Sequence, residues 1–224
     1  MQILIYGFQR SGTTLLRRLI GLHPEVKRMF HEQLVLRRLE PNPRMLRIYL
    51  RNMGVDIKND NWGEKVPYYN TAKRMSPIKY CEKWMETFRK KGKIIHIIRH
   101  PYDSAFSVVK KYNDINGITG PLKIYKNVVP KVLKTLDCGY PVLNIKYEDL
   151  LMNPDETVYK IYDFCGLTPN IDYKERMKKI ENRKYKEINS DRSFAYKKKE
   201  FKVNVDMSDV IELLNKFPGI TYEI

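Results

Sequence analysis

From Gly7 to Thr14 the chain reads Gly-Phe-Gln-Arg-Ser-Gly-Thr-Thr, a run able to hold an oxyanion. Glycines at positions 7 and 12 let the backbone curl until successive N–H groups point inward. The hydroxyls of Ser11, Thr13 and Thr14 add donors, and Arg10 supplies a forked cation from within the loop. A second segment, Arg99-His100-Pro101-Tyr102-Asp103-Ser104-Ala105-Phe106-Ser107, places a guanidinium at the end of an apolar run and a hydroxyl two helical turns later. That pair is a sound anion clamp.

The GxxxxG spacing of the first segment matches a nucleoside-triphosphate loop, but Thr13 stands where such a loop carries lysine. Hydrolysis of ATP or GTP would therefore lose its main β,γ-phosphate cation. The residues indicate a phosphate or sulfate oxyanion without deciding which. A glycine-rich turn that merely caps a helix is the bland alternative.

Elements that could position these groups follow from apolar periodicity. Ile3 to Tyr6 reads as a buried strand leading into the loop. Thr13 to Leu22 reads as a helix with Leu15, Leu16, Leu19 and Ile20 on one face and Arg17 and Arg18 on the other. Lys93 to Ile98 and Pro141 to Tyr147 read as further strands. Helices are expected at Pro43–Met53, Pro77–Lys90, from Pro101, at Pro154–Cys165, and at Ser208–Phe217 with Ser208 as N-cap. Strands alternating with helices predict an α/β three-layer sandwich on a mainly parallel sheet, resembling the P-loop nucleoside-triphosphate-hydrolase architecture. Ligands in such sheets bind at the carboxyl ends of the strands, where Arg99 falls.

The chain has 224 residues, 42% of them hydrophobic, and no strong linker, so a single domain over 1–224 is expected. There are 42 basic and 26 acidic residues, a net charge of +16. This excess is either compositional or suited to an anionic partner. Between Lys174 and Lys202, twelve basic residues stand against five acidic ones, and about 182–202 reads as a basic loop or lid. No apolar run approaches the roughly 20 residues of a membrane span, and no secretory leader is evident. Cys81, Cys138 and Cys165 are scattered without metal spacing. No metal is expected, and a reducing, cytoplasmic setting is.

Taken together, the motifs resemble those of sulfotransferases that use 3′-phosphoadenosine 5′-phosphosulfate (PAPS). The family's GxxRSGTT loop is similar to Gly7–Thr14, and its Arg-x-Pro-x-Asp-x-x-x-Ser segment to Arg99–Ser107. Two further matches are Tyr147-Glu148-Asp149-Leu150 ahead of Phe164-Cys165-Gly166-Leu167, and Gly63-Glu64-Lys65-Val66-Pro67, a segment of the carbohydrate and tyrosylprotein branches. The likeness runs from about residue 2 to 167. It implies transfer of a sulfuryl group to an acceptor hydroxyl or amine, with adenosine 3′,5′-bisphosphate as product.

In that light Arg10, Ser11, Gly12, Thr13 and Thr14 would hold the 5′-phosphosulfate, while Arg99 and Ser107 would grip the 3′-phosphate. Tyr147 is either a nucleotide contact or a strand-end core aromatic. Lys65 would face the transferred group, its alternative being an exposed loop lysine. An acceptor hydroxyl must lose a proton, so a base is required. The tyrosylprotein branch places a glutamate after His-Pro-Glu-Val, which here is His23–Val26; Glu32 is the candidate and His31 the second choice. Of the other histidines, His23 is expected to end the first helix and His96 to lie in the core. In the basic segment Ser193 and Lys197 could close on the nucleotide, or the segment could be a solvated tail.

Acceptor specificity is expected in loops at 29–61 and 112–131. The GEKxP segment favours a glycan or other polar acceptor. The rival readings are a P-loop small-molecule kinase and a basic nucleic-acid-binding module.

Overall fold

A computed structural model describes residues 1–32, 36, 43–67, 77–88, 92–112, 117–137, 139–169, 171–179, 188 and 205–223. In chain order the elements are β1 (Gln2–Gly7), α1 (Thr13–Gly21), β2 (Val26–His31), α2 (Pro43–Asn52), β3 (Asn61–Pro67), α3 (Pro77–Phe88) and β4 (Gly92–Ile98). They continue as α4 (Pro101–Tyr112), α5 (Thr119–Leu136), β5 (Val142–Lys146), α6 (Tyr147–Met152), α7 (Pro154–Phe164), α8 (Tyr173–Lys178) and α9 (Ser208–Leu214). The strands form a five-stranded sheet in the order β2-β3-β1-β4-β5, with every neighbouring pair parallel.

Strand side chains alternate between faces, so β1 feeds two cores. Leu4 and Tyr6 join Trp62, Ile94 and Ile98 against Trp84 of α3, Tyr125 and Val129 of α5 and Leu214 of α9. Ile3 and Ile5 join Ile95 and Ile97 against Leu16 and Leu19 of α1 and Val158 and Ile161 of α7. Helices therefore cover both faces, as the three-layer expectation requires. Because all strands run the same way, Gly7, Pro67 and Ile97 share one row, and the carboxyl ends of β1, β2, β3, β4 and β5 lie at one edge of the sheet. No helix among the described residues is long and apolar enough to cross a membrane.

Several elements differ from the sequence expectation. The Gly63–Pro67 segment belongs to a central strand, not a loop. Gly63 is required there, because a Cβ would lie 2.3 Å from the Ile3 carbonyl oxygen of β1. The span 112–131 is largely helical: α5 runs through Pro130, whose exposed ring lies on the solvent side of the helix. Ser208 is the first residue of α9, and Met207 takes the cap position. Asp206 supplies the capping carboxylate instead, accepting from the Ser208 N–H at 2.9 Å and its hydroxyl at 2.7 Å.

Candidate active site

The loop after β1 closes as a tight turn. Ser11 donates its N–H (3.1 Å) and its hydroxyl (2.6 Å) to the Phe8 carbonyl, so this buried side chain braces the loop from inside. Arg10 and Gly12 adopt left-handed backbone, with φ of 68° and 95°. α1 then starts at Thr13 with no side-chain cap and no acid in its first turn. Its opening N–H groups and the positive end of its dipole are those of an anion-binding helix terminus.

On one flank of this terminus stands Lys65. Its register partner in β1 is Ile5, which faces α1, so the lysine side chain leaves the sheet on the α1 face. It is 3% exposed and its Nζ donates to Thr14 Oγ1 at 3.2 Å and to a Glu32 carboxylate oxygen. His31, the β2 register partner of Lys65, brings Nε2 to 3.4 Å of the same nitrogen. Glu32, with φ 53°, follows at the strand end, its N–H donating to the Lys65 carbonyl at 3.1 Å. The two candidate bases thus flank one cation. Burial pushes the Lys65 ammonium below its ordinary value, with Glu32 opposing the shift. Burial, and then the Lys65 charge, push His31 down toward its neutral form.

The other flank carries the second segment. Arg10 Nε donates to Ser107 Oγ at 3.1 Å, which joins the loop to the second turn of α4. Arg99 does not reach out into an open crevice; it is 7% exposed. Its guanidinium donates to the Arg10 carbonyl at 3.2 Å, pairs with Asp103 at 3.5 Å and lies 4.6 Å from the Tyr147 ring centroid. Arg10, Arg99 and Ser107 are therefore brought to one place. Tyr147 is buried beneath the loop, where a Cβ on Gly12 would come within 2.3 Å of its ring. That is the placement of a strand-end core aromatic which also forms a platform for Arg99.

Sequence reasoning missed four supporting groups. Arg17, assigned to the outer face of α1, donates to the Met29 carbonyl of β2 at 2.9 Å and adds positive charge felt by Lys65 and His31. A long stem lets such a residue cross a helix flank, which wheel position alone does not reveal. Glu64 is fully buried on the opposite face of β3 from Lys65 and accepts from the Tyr80 hydroxyl of α3. The Tyr125 hydroxyl donates to the Arg99 carbonyl at 2.9 Å. Glu148, inside the Tyr147–Leu150 motif, accepts from the His100 N–H at 3.0 Å.

The remaining histidines take structural positions. His23 follows α1, with Nε2 2.9 Å from the Thr168 carbonyl. His96 pairs with Asn144 in the core, and burial lowers its pKa to about 4. Ser193 and Lys197 lie outside the described residues; of the basic segment only Ile188 is described, half-buried against the α1-side core.

The "Sulfotransferase domain" family model matches residues 1–212. Protein-tyrosine sulfotransferase 2 of Gallus gallus is 25% identical over 191 residues, covering 74% of this chain and 51% of that protein. The chain thus spans about half the length of the curated relative it matches. Among solved structures, the sulfotransferase domain from the Synechococcus PCC 7002 olefin synthase superposes with a TM-score of 0.69 at 19% identity, covering 100% of this chain and 96% of that one. A mouse sulfotransferase solved in complex with PAP gives 0.52 at 19% identity, covering 84% of this chain and 70% of that one. At these identities the structural likeness concerns the fold.

Proposed function

The chain belongs to the sulfotransferase domain family, and from that premise we propose that it moves a sulfuryl group from PAPS to an acceptor hydroxyl or amine. The observation that carries this reading is the pairing of two cationic flanks about one uncapped helix terminus: Lys65 with Thr14 and Glu32 on one side, Arg10 with Arg99 and Ser107 on the other. Such a site suits an adenylate bearing anions at both ends, and the Gly12–Tyr147 contact keeps the loop backbone pressed over its platform. When bound, PAPS supplies a sulfuryl group on a good leaving phosphate.

The chain's own residues then have distinct tasks. Thr13, Thr14 and the loop N–H groups orient the 5′ end. Lys65, a point charge held in a low-dielectric position, stabilises negative charge that develops there. Arg99 and Ser107 fix the 3′-phosphate, with Arg10 tied to Ser107 between the two ends. Glu32 takes the acceptor proton; its present bond to Lys65 holds the carboxylate at the rim until an acceptor arrives. His31, half-exposed and shifted toward neutrality, is the second candidate.

A glycan or other polar compound is the proposed acceptor class, on the Gly63–Pro67 motif. The scattered cysteines support a cytoplasmic reaction. Radiolabelled PAPS offered with a panel of glycans, peptides and small alcohols tests the activity, and thermal shift tests the nucleotide. Adenosine 3′,5′-bisphosphate without magnesium should raise Tm, whereas stabilisation by ATP–Mg²⁺ alone would move the reading to a kinase.

A further inference from the structure

The carboxyl-terminal residues make contacts that the transfer chemistry above does not use. Beyond α9, Asn215 and Tyr222 close a loop on each other: the Tyr222 N–H donates to Asn215 Oδ1 at 2.7 Å and the Asn215 amide to the Tyr222 carbonyl at 2.9 Å. This loop is pinned to the end of β5, where Lys146 Nζ donates to the Thr221 carbonyl at 2.7 Å and lies 4.6 Å from the Tyr222 ring centroid. Phe217, Ile220 and Tyr222 are all buried in the α3–α5 core.

The Tyr222 hydroxyl donates to one Glu148 oxygen at 2.8 Å. The other oxygen accepts the His100 N–H. Glu148 is 2% exposed, also accepts from its own backbone N–H, and feels the charge of Arg99. The His100 ring also packs edge-on against Tyr222, centroids 5.4 Å apart. The peptide unit that follows Arg99 is consequently held at both polar groups: its carbonyl by Tyr125 and its N–H by Glu148. Fixing that peptide plane fixes where the Arg99 Cα directs its side chain. The family match ends at residue 212, so Tyr222 lies past it.

We propose that Glu148 and Tyr222 are positioning residues for Arg99, and that the segment Asn215–Tyr222 serves as a clamp setting affinity for the 3′-phosphate of the nucleotide. The inference rests on the proposed function only in taking Arg99 as the 3′-phosphate ligand.

Calorimetric titration of the full chain with adenosine 3′,5′-bisphosphate and with adenosine 5′-phosphate separates the possibilities. Tyr222→Phe and, independently, Glu148→Gln should each weaken the bisphosphate about tenfold, as expected for loss of one buried hydrogen bond to a charged group. The monophosphate should bind as in wild type. Exchange of the His100 amide should rise about tenfold in both variants. A general loosening of the fold would weaken both nucleotides alike, and that outcome overturns the proposal. So does undiminished bisphosphate binding in both variants with a His100 amide as protected as before. A wild type that binds both nucleotides equally overturns the assignment of Arg99 itself, which distinguishes failure of the nucleotide reading from failure of the clamp alone.

Discussion

An alanine at position 12 would test how tightly the oxyanion loop is packed. Two costs are visible. The backbone there has φ 95°, where a side chain is strained by about 1–2 kcal/mol. The added Cβ would also meet two Tyr147 ring carbons at 2.3 and 2.5 Å. The ring has little room to retreat, being 5% exposed and covered by Arg99. Forcing a methyl into such a site costs about 1–3 kcal/mol. Gly12→Ala should therefore lose about 2–5 kcal/mol, much of the roughly 5–15 kcal/mol that holds a domain folded. Removing the ring relieves only the steric part. In a cycle with Tyr147→Ala the two changes should couple favourably by about 1–3 kcal/mol, leaving the backbone strain behind. Urea unfolding of the four proteins supplies the numbers. A Gly12→Ala protein within about 0.5 kcal/mol of wild type, or an uncoupled pair, refutes the packing described for this loop.

Three other outcomes are expected. Lys65→Ala should lower kcat for sulfuryl transfer by about 10²–10³, the usual loss of one preorganised charge stabiliser, and full kcat in steady-state assays would remove Lys65 from the chemistry. The buried His96 is held neutral down to about pH 4, whereas in the unfolded chain it binds a proton below about 6.5. Its contribution is thus complete above pH 6.5 and is lost progressively as pH falls to 4, by about 3 kcal/mol, in a dependence that His96→Gln should flatten in denaturant titrations. Tyr80→Phe deletes the hydroxyl that faces the buried Glu64, and should cost about 1–3 kcal/mol in the same unfolding measurement.

The parts of the site that could be read from sequence are those whose determinants are contiguous. β1, the glycine loop and α1 occupy one stretch, and each residue's type agrees with its local geometry. Arg99 and Ser107 were likewise legible, because strand end and helix follow directly. β3 was not. Its Gly63, Glu64 and Lys65 are buried polar or small residues, so Trp62 and Val66 alone cannot display a period-two pattern. Only the partners, Tyr80 on one face and Glu32 with Thr14 on the other, explain why a glutamate and a lysine are tolerated side by side in a central strand. α5 fell in the span expected as a loop, and it carries Pro121 and Pro130, a residue type that ordinarily ends or kinks a helix. The Tyr222 clamp depends on a contact 74 residues distant in sequence, beyond any local signal. The family match to residue 212 reaches well past the motifs, which stop near 167.

One irregularity of the sheet margin bears on how this protein could be altered. β2 carries an extra residue: Val26 is opposite Asn61 while Arg28 is already opposite Trp62, so Lys27 is the surplus. The bulge resets the parity of the strand, letting Val26 and Met29, three residues apart, anchor the same core. Excising Lys27 would straighten the ladder and leave His31 opposite Lys65, and with Val26 and Met29 then two residues apart it would keep both on the same core face. Excising a residue after it would instead slide the histidine and glutamate out of phase with the lysine. On this margin one excision spares both core and site, while its neighbour breaks the pairing of the site's acid and cation.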